Sequence, residues 1–248
     1  MLEGLEQLVL PAECALCHAL LPCDRAADLV CSVCRHRWRP VVPPWCPRCG
    51  QPEPLFGLCR LCKDWPTAFS CIRAAVWLDP PARRAVHALK YGGLPRIAAD
   101  LAAAIARVSL PADGTVILVP IPLSARRLRS RGYNQSECLA QQLGRRWRRP
   151  VRHLLVRTRD TATQTALTPA ARLANVAGAF QVRNGVGMPQ SAIPERSSLR
   201  IPRSTVVLVD DVFTTGATVA AAARALQDAG ALSIMAVTFG RAVIPDFT

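Results

Sequence analysis

A chain of 248 residues is long enough for one α/β domain of roughly 150 to 200 residues and a small appended module. Half of its residues are hydrophobic but fall in short runs, far from the ~18 apolar residues of a membrane span, and the opening MLEGLEQLVLPAEC carries acids where a secretory leader has basic residues, so the expectation is a soluble, unexported, cytoplasmic protein. The net charge of +14 is densest in residues 125 to 160, where eleven arginines face only Glu137 and Asp160, which points to an anionic partner, a phosphorylated metabolite or nucleic acid, with a merely solvated basic surface as the alternative.

The chain begins with cysteine pairs: CALC (Cys14, Cys17), CSVC (Cys31, Cys34), CPRC (Cys46, Cys49) and CRLC (Cys59, Cys62). Thiolates two residues apart in a tight knuckle point at one ion, and a second knuckle completes a zinc tetrahedron with Zn–S distances of about 2.3 Å. Four knuckles imply two structural Zn²⁺ in a double zinc ribbon over residues 1–69. The expected pairing is sequential, Cys14, Cys17, Cys31 and Cys34, then Cys46, Cys49, Cys59 and Cys62, because interleaved closure orders longer loops. A disulfide framework is the alternative, and a reducing cytosol disfavours it. Cys23, His18 and His36 are substitute ligands, and Cys71 and Cys138 read as buried thiols. Residues 1 to 75 hold eight basic and seven acidic side chains, so eight thiolates on two zinc ions leave the module acidic. It is better suited to bracing the larger domain or docking a protein than to gripping phosphates.

From residue 70 to 248 apolar runs alternate with amphipathic stretches, the pattern of a parallel sheet with helices on its faces. SCIRAAVWL reads as a strand; DPPARRAVHALKYGG as a helix capped by Asp79 and stopped at Gly92; LPRIAADLAAAIARV as a second helix opened by Pro95. Lys90 stands out, since only Lys63 accompanies it beside 29 arginines; its position calls for an ammonium. TVILVPIPL is a buried strand broken by prolines, followed by an Arg-rich loop and the helix NQSECLAQQLGRRW, with Asn134 and Glu137 at capping-box spacing. HLLVRTRD is a short strand, TATQTALTPAARLANVAGAF a polar stretch with Gln164 leading into a helix that carries Arg172, and residues 184 to 204 an exposed loop. TVVLV is a central strand, TGATVAAAARALQDAG a helix ending at Gly230, and ALSIMAVTFGRAV the last strand.

The stretch VVLVDDVFTTGATV places Asp210 and Asp211 at the carboxyl end of that central strand, where ligands sit in open parallel sheets. After them, Gly216 permits a sharp turn, and the hydroxyls of Thr214, Thr215 and Thr218, with backbone amides from Gly216 and Ala217 onward, surround the positive end of a helix. A phosphate fits there; carboxylates beside it repel a second phosphate and accept hydrogen bonds from vicinal hydroxyls. The stretch asks for a ribose 5-phosphate. The alternative is solvated acids followed by a capped helix.

The same stretch resembles the phosphoribosyl-pyrophosphate motif of type I phosphoribosyltransferases. Cysteine knuckles, ALKYGG, VPIPLSARRLRSRGYNQ, RTRDTATQTALTPAARLANVAGAF and this motif follow one another as in the ComF family of competence-associated proteins. The resemblance implies a phosphoribosyltransferase-like α/β fold over residues 70–248 that binds phosphoribosyl pyrophosphate with Mg²⁺: the 5-phosphate on Thr214, Thr215, Gly216, Ala217 and Thr218, the ribose hydroxyls on Asp210 and Asp211. Lys90 and Arg131, in ALKYGG and RGYNQ, are the cations for pyrophosphate. Arg157 and Arg172 flank a loop that closes over the ligand, and Tyr133 and Gln164 are acceptor-side contacts. As an enzyme, the protein would transfer a pentosyl group: a nucleophile displaces pyrophosphate from C1 of the ribose, helped by positioning, Mg²⁺ and charge neutralisation.

The resemblance also implies a role in natural transformation, with competence-machinery proteins meeting the zinc module. A second class stays open: a single-stranded DNA-binding protein built on this fold without turnover, its arginines, including Arg126, Arg127 and Arg129, tracking the backbone and Trp147 and Tyr133 stacking on bases. A third is a zinc-bearing scaffold with an inactive transferase fold.

Overall fold

Four of the apolar runs assemble into a wholly parallel sheet in the computed structural model, which describes residues 12–22, 28–52, 59, 61–110, 115–160, 178–183 and 204–242. A short helix α1 (Ser32–His36) precedes strand β1 (Phe69–Trp77) and helix α2 (Pro80–Tyr91). The Asp79 carboxylate accepts from Ala82 N at 3.2 Å, and Gly92 ends the helix as expected. The next predicted helix is divided: a 3-10 turn, Pro95–Ile97, feeds α3 (Ala98–Ile105). Then come β2 (Val116–Pro120), α4 (Ala125–Arg131), α5 (Gln135–Trp147), β3 (Leu155–Arg157), β4 (Phe180–Val182), β5 (Thr205–Phe213), α6 (Ala217–Asp228) and β6 (Ile234–Arg241).

Among the described residues the sheet order is β1-β6-β5-β2, and β5, predicted to be central, is an interior strand. Its residues 205–211 are all buried, which suits a strand covered on both faces. Alternation sends Val207 and Val209 into one apolar cluster and Val206 and Leu208 into another. The first face is covered by α2, α3 and α5 through Leu89, Leu101, Ile105, Leu139 and Leu143. The second is covered by α6 and the β3–β4 ribbon through Val219, Leu226, Leu155 and Phe180.

Three expectations are corrected. The Arg-rich loop after β2 is helix α4, capped by Ser124, whose hydroxyl accepts from Arg127 N at 3.4 Å, and closed by Gly132 at φ +82°. None of its residues is buried, so it carries no apolar stripe for a sequence reading to detect. At α5, Asn134 accepts from Ser136 N at 3.1 Å and donates to the Ile121 carbonyl at 3.0 Å, while Glu137 accepts from Gln141; the reciprocal capping box does not form. Strand β3 pairs antiparallel with β4, outside the parallel sheet, because Val151 rather than β3 lies along β2. Cys71 is buried, and Cys138 only partly so. The segment with Gln164 and Arg172, nearly all of the loop predicted over 184–204, and Cys23 lie outside the described residues.

Candidate functional site

Asp210 and Asp211 lie inside β5 rather than beyond its end, because Val212 and Phe213 continue the ladder opposite Gly240 and Arg241. Lys90, from the last turn of α2, forms an ion pair with Asp211 Oδ2. The first two residues of α5 supply the other partners: Gln135 Nε2 donates to Asp211 Oδ1 at 3.4 Å, and Ser136 Oγ donates to Asp210 Oδ1 at 2.8 Å. Asp210 Oδ1 also accepts from Asp211 N at 2.9 Å. The two carboxyls part company in their protonation. Burial, reinforced by the charge of Asp211, pushes Asp210 up to about 7. Burial acts on Asp211 too, but the charge of Lys90 and its hydrogen bond outweigh it and hold the carboxyl below the usual range. Lys90 itself is buried enough to favour the neutral amine, yet Asp211 reverses that and raises its pKa.

Beyond Phe213 the chain turns at Gly216, whose φ is +79°. A Cβ there would lie 2.7 Å from Trp65 Cζ2 and 2.8 Å from Phe213 Cε2, so the position excludes any side chain on steric grounds as well as conformational ones. Helix α6 begins at Ala217, and its first-turn N–H groups form a positive end facing the turn. Thr214, Gly216, Ala217 and Thr218 line a cavity of about 740 Å³; Thr215 is buried, and its hydroxyl accepts from Ala217 N at 3.5 Å.

The same cavity brings in Lys90, Arg131 and Arg157, together with Arg126 and Arg127 from α4. Five basic residues on its wall face Asp160, Asp210 and Asp211, so the cavity favours an anion. Arg131 bonds Gln135 Oε1 and lies 5.1 Å over the ring of Tyr91, which is 68% exposed. Arg157 sits 5.3 Å over Phe180; burial and the charge of Arg127 lower its pKa, opposed by Asp210 and Asp160. Tyr133 lines the cavity while its hydroxyl donates to the Leu89 carbonyl at 2.5 Å. Gln164 and Arg172, the remaining candidates, lie outside the described residues.

Sequence reasoning missed Gln135, Ser136 and Tyr91. Gln135 and Ser136 follow RGYN directly at the start of a predicted helix, the place where side chains face a ligand end; Tyr91 follows Lys90. The arginine-rich stretch is also two surfaces, not one. Helix α5 starts at the aspartates and spans roughly 20 Å, which places exposed Arg145, Arg148 and Arg149 at its far end; the chain then returns along β2, where Arg152 N donates to the Leu118 carbonyl at 2.8 Å, and brings Arg157 into the cavity.

Among the described residues, two groups of four cysteines, Cys14/Cys17/Cys31/Cys34 and Cys46/Cys49/Cys59/Cys62, each gather their sulfurs within 4.8 Å of one another. Sulfur separations of 3.7 Å (Cys17–Cys31), 3.8 Å (Cys46–Cys62) and 3.4 Å (Cys49–Cys59) are close to the edge of a tetrahedron with a central Zn²⁺ about 2.3 Å from each corner. Burial and the neighbouring sulfurs push Cys62 up to about 12, and Cys34 and Cys49 further, because clustered thiolates need a cation between them. The donor set therefore fits two structural zincs. His18 lies instead 3.6 Å from Glu13, and neither it nor His36 joins a group.

Comparison with known proteins agrees with both modules. A double zinc ribbon domain matches residues 5–64 and a phosphoribosyl transferase domain matches residues 157–242. The chain is 33% identical to the DNA utilization protein YhgH of Salmonella typhimurium and 32% identical to that of Escherichia coli K12, in each case over 92% of this chain and 96% of the relative. It is 28% identical to competence protein ComFC of Bacillus subtilis, over 86% of this chain and 85% of that one. With both modules in the same order and similarity along nearly its whole length, the chain belongs to the ComF family of proteins that join a double zinc ribbon to a phosphoribosyltransferase domain.

Proposed function

We propose that the cavity binds phosphoribosyl pyrophosphate and that the protein acts in the handling of DNA taken up by the cell. The carrying observation is the meeting, in one basic cavity, of a threonine-lined turn at the start of a 12-residue helix with two buried aspartates. The 5-phosphate sits on the amides and hydroxyls of residues 214–218, where the helix end favours negative charge. Asp211, held ionised by Lys90, accepts from the ribose hydroxyls, and Asp210, near neutrality in its protonation, either accepts from or donates to them. Lys90, Arg131 and Arg157 neutralise the pyrophosphate, with Arg126 and Arg127 adding charge at the mouth. Mg²⁺, when bound with the pyrophosphate, would supply further charge neutralisation of the leaving group. The chain's own contribution is to position the sugar and stabilise the departing charge.

The names of the relatives, a DNA utilization protein and a competence protein, supply the context of DNA uptake. One observation favours a second reading, single-stranded DNA binding without turnover: helix α4 buries none of its residues, its arginines border the cavity, and Tyr91 offers an exposed ring beside them. Calorimetry with phosphoribosyl pyrophosphate and Mg²⁺, run alongside an assay for released pyrophosphate with and without bases and single-stranded DNA, separates the two. Micromolar binding that is lost in the Asp210→Asn, Asp211→Asn double variant supports the ligand, and pyrophosphate release adds transferase activity. Heat only on adding DNA, with affinity falling steeply as salt rises, supports the second reading.

A further inference from the structure

We propose that the second cysteine tetrad sets the geometry of the phosphate loop through Trp65 and Arg241, so that its zinc gates ligand binding whereas the first tetrad's does not. The inference rests on the phosphoribosyl reading of the cavity for its ligand, though not for the coupling itself.

Two connections run from the tetrad to the loop. Trp65, three residues beyond Cys62 and 6% exposed, stacks on Phe69 (centroids 4.7 Å apart) and meets Phe213 edge-on at 6.1 Å. It is the wall against which Gly216 turns, at a separation that leaves no room for a Cβ. Arg241, at the end of β6 and 1% exposed, donates from Nη1 to the Cys49 carbonyl at 2.7 Å and from Nη2 to Gln51 Oε1 at 2.6 Å. Its guanidinium lies 4.6 Å over the ring of Phe213, the residue that leads into Thr214. The knuckle residue Arg48 fixes the base of both connections, donating to the carbonyls of Cys62 (2.9 Å), Trp65 (3.2 Å), Pro66 (2.8 Å) and Phe69 (3.2 Å). Cys49, Arg241, Phe213 and the turn at Gly216 thus form a buried relay in which each member packs on the next.

Among the described residues the first tetrad makes its polar and ring contacts with the larger domain away from the phosphate turn. It reaches the larger domain through Arg35, which donates to Asp100 at 2.9 Å, and through Trp38, edge-on to Phe239 at 4.9 Å; none of these residues lines the cavity. An empty second tetrad frees Cys49, Cys62 and the segment carrying Trp65. The turn then loses its wall and the N–H groups of α6 lose their aim.

The test compares amide NMR spectra of ligand-free protein, zinc content, and affinity for phosphoribosyl pyrophosphate with Mg²⁺. Cys59→Ser is expected to release one zinc per chain, shift the amide signals of residues 214–218, and weaken binding about tenfold or more. Cys17→Ser releases the other zinc and shifts those signals by less than about a third as much. Because Cys59→Ser is open to failure by misfolding, Arg241→Gln and Trp65→Leu test the relay with both zincs in place: each is expected to reproduce the loop shifts and the weaker binding, and Arg241→Lys to restore part of both. Unmoved loop signals and unchanged affinity in Arg241→Gln and Trp65→Leu overturn the inference, as do equal effects of the two cysteine variants. Loop shifts in a protein that binds no phosphoribosyl pyrophosphate sustain the coupling and overturn the ligand assignment instead.

Discussion

On one face of the sheet Lys90 reaches Asp211; on the other Trp65 presses against the turn at Gly216. Both faces have an apolar cluster, a helical cover and a cysteine tetrad, with Cys14 and Cys34 in the first cluster and Cys46, Cys49 and Cys62 in the second. Their contributions to the cavity differ in kind. The first face supplies charge beside Asp211 through Lys90, to which Arg157 of the β3–β4 ribbon adds from the second. The second supplies chiefly shape, through buried aromatic rings that leave no room for a Cβ at Gly216. Shape fails abruptly when one carbon is added, whereas charge fails by degrees with pH and salt.

The sharpest way to break this contrast is Gly216→Ala. A Cβ at φ +79° costs about 1–2 kcal/mol in the left-handed region, and displacing Trp65 and Phe213 adds about 1–3 kcal/mol. We expect urea denaturation to show a loss of roughly 2–5 kcal/mol. Ligand affinity should fall with it, since the amides of the turn move. A midpoint equal to wild type would mean that the second face yields as readily as the first.

Lys90→Met tests the charge side. Removing one partner of a buried pair leaves the other uncompensated; for a lysine still 23% exposed in its side chain we expect a loss of about 2–3 kcal/mol near neutral pH. The deficit should shrink at pH 5, where the orphaned carboxyls take up protons. A deficit independent of pH would assign Lys90 a packing role.

A smaller, graded effect comes from the aspartates themselves. The folded-state pKa of Asp210 is raised to about 7, so its contribution to stability is fully present below the unfolded carboxyl value and is lost as pH rises through about 7. Asp211 is lowered, so its contribution is present above the unfolded value and is lost as pH falls through the folded one. Stability measured by denaturant should therefore decline from pH 5 to pH 7.5 in wild type, and Asp210→Asn should flatten that decline. A slope unaltered by the substitution would remove the assignment.

What the sequence revealed and what it hid divides along the range of the interactions. Strands β1, β2, β5 and β6, the cap at Asp79 and the turn before α6 depend on neighbours within a few residues, and the cysteine pairing on repeats 10 to 16 positions apart, and each is legible in composition and spacing. The partners of the aspartates are not: Ser136 lies 74 positions from Asp210, and Arg241 lies 192 from the Cys49 carbonyl it holds. Only the packing of helix and knuckle onto the sheet brings them together. Helix α4 was illegible for another reason, since seven residues with no buried face leave no period to read. The arginine stretch misled because composition reports charge without saying that α5 carries Arg145 to Arg149 to its far end while Arg157 returns to the cavity.

That separation of the arginines carries the mildest prediction, again on the charge side of the contrast. Arg145, Arg148 and Arg149 are exposed, and replacing all three with Ala should change stability by no more than about 0.5 kcal/mol per site. Since they lie at the far end of α5, roughly 15–20 Å from the aspartates, affinity for phosphoribosyl pyrophosphate should stay within about twofold, the field of exposed charges at that distance being screened by physiological salt. If a single strand runs along this helix, each arginine lost removes one phosphate contact, and the slope of log affinity against log salt should fall by roughly 2 in total. Oligonucleotide titrations across a salt series read that slope directly. An unchanged slope, set beside a reduced one for Arg129→Ala on α4, would confine the strand to the mouth of the cavity and leave the distal arginines as a solvated surface.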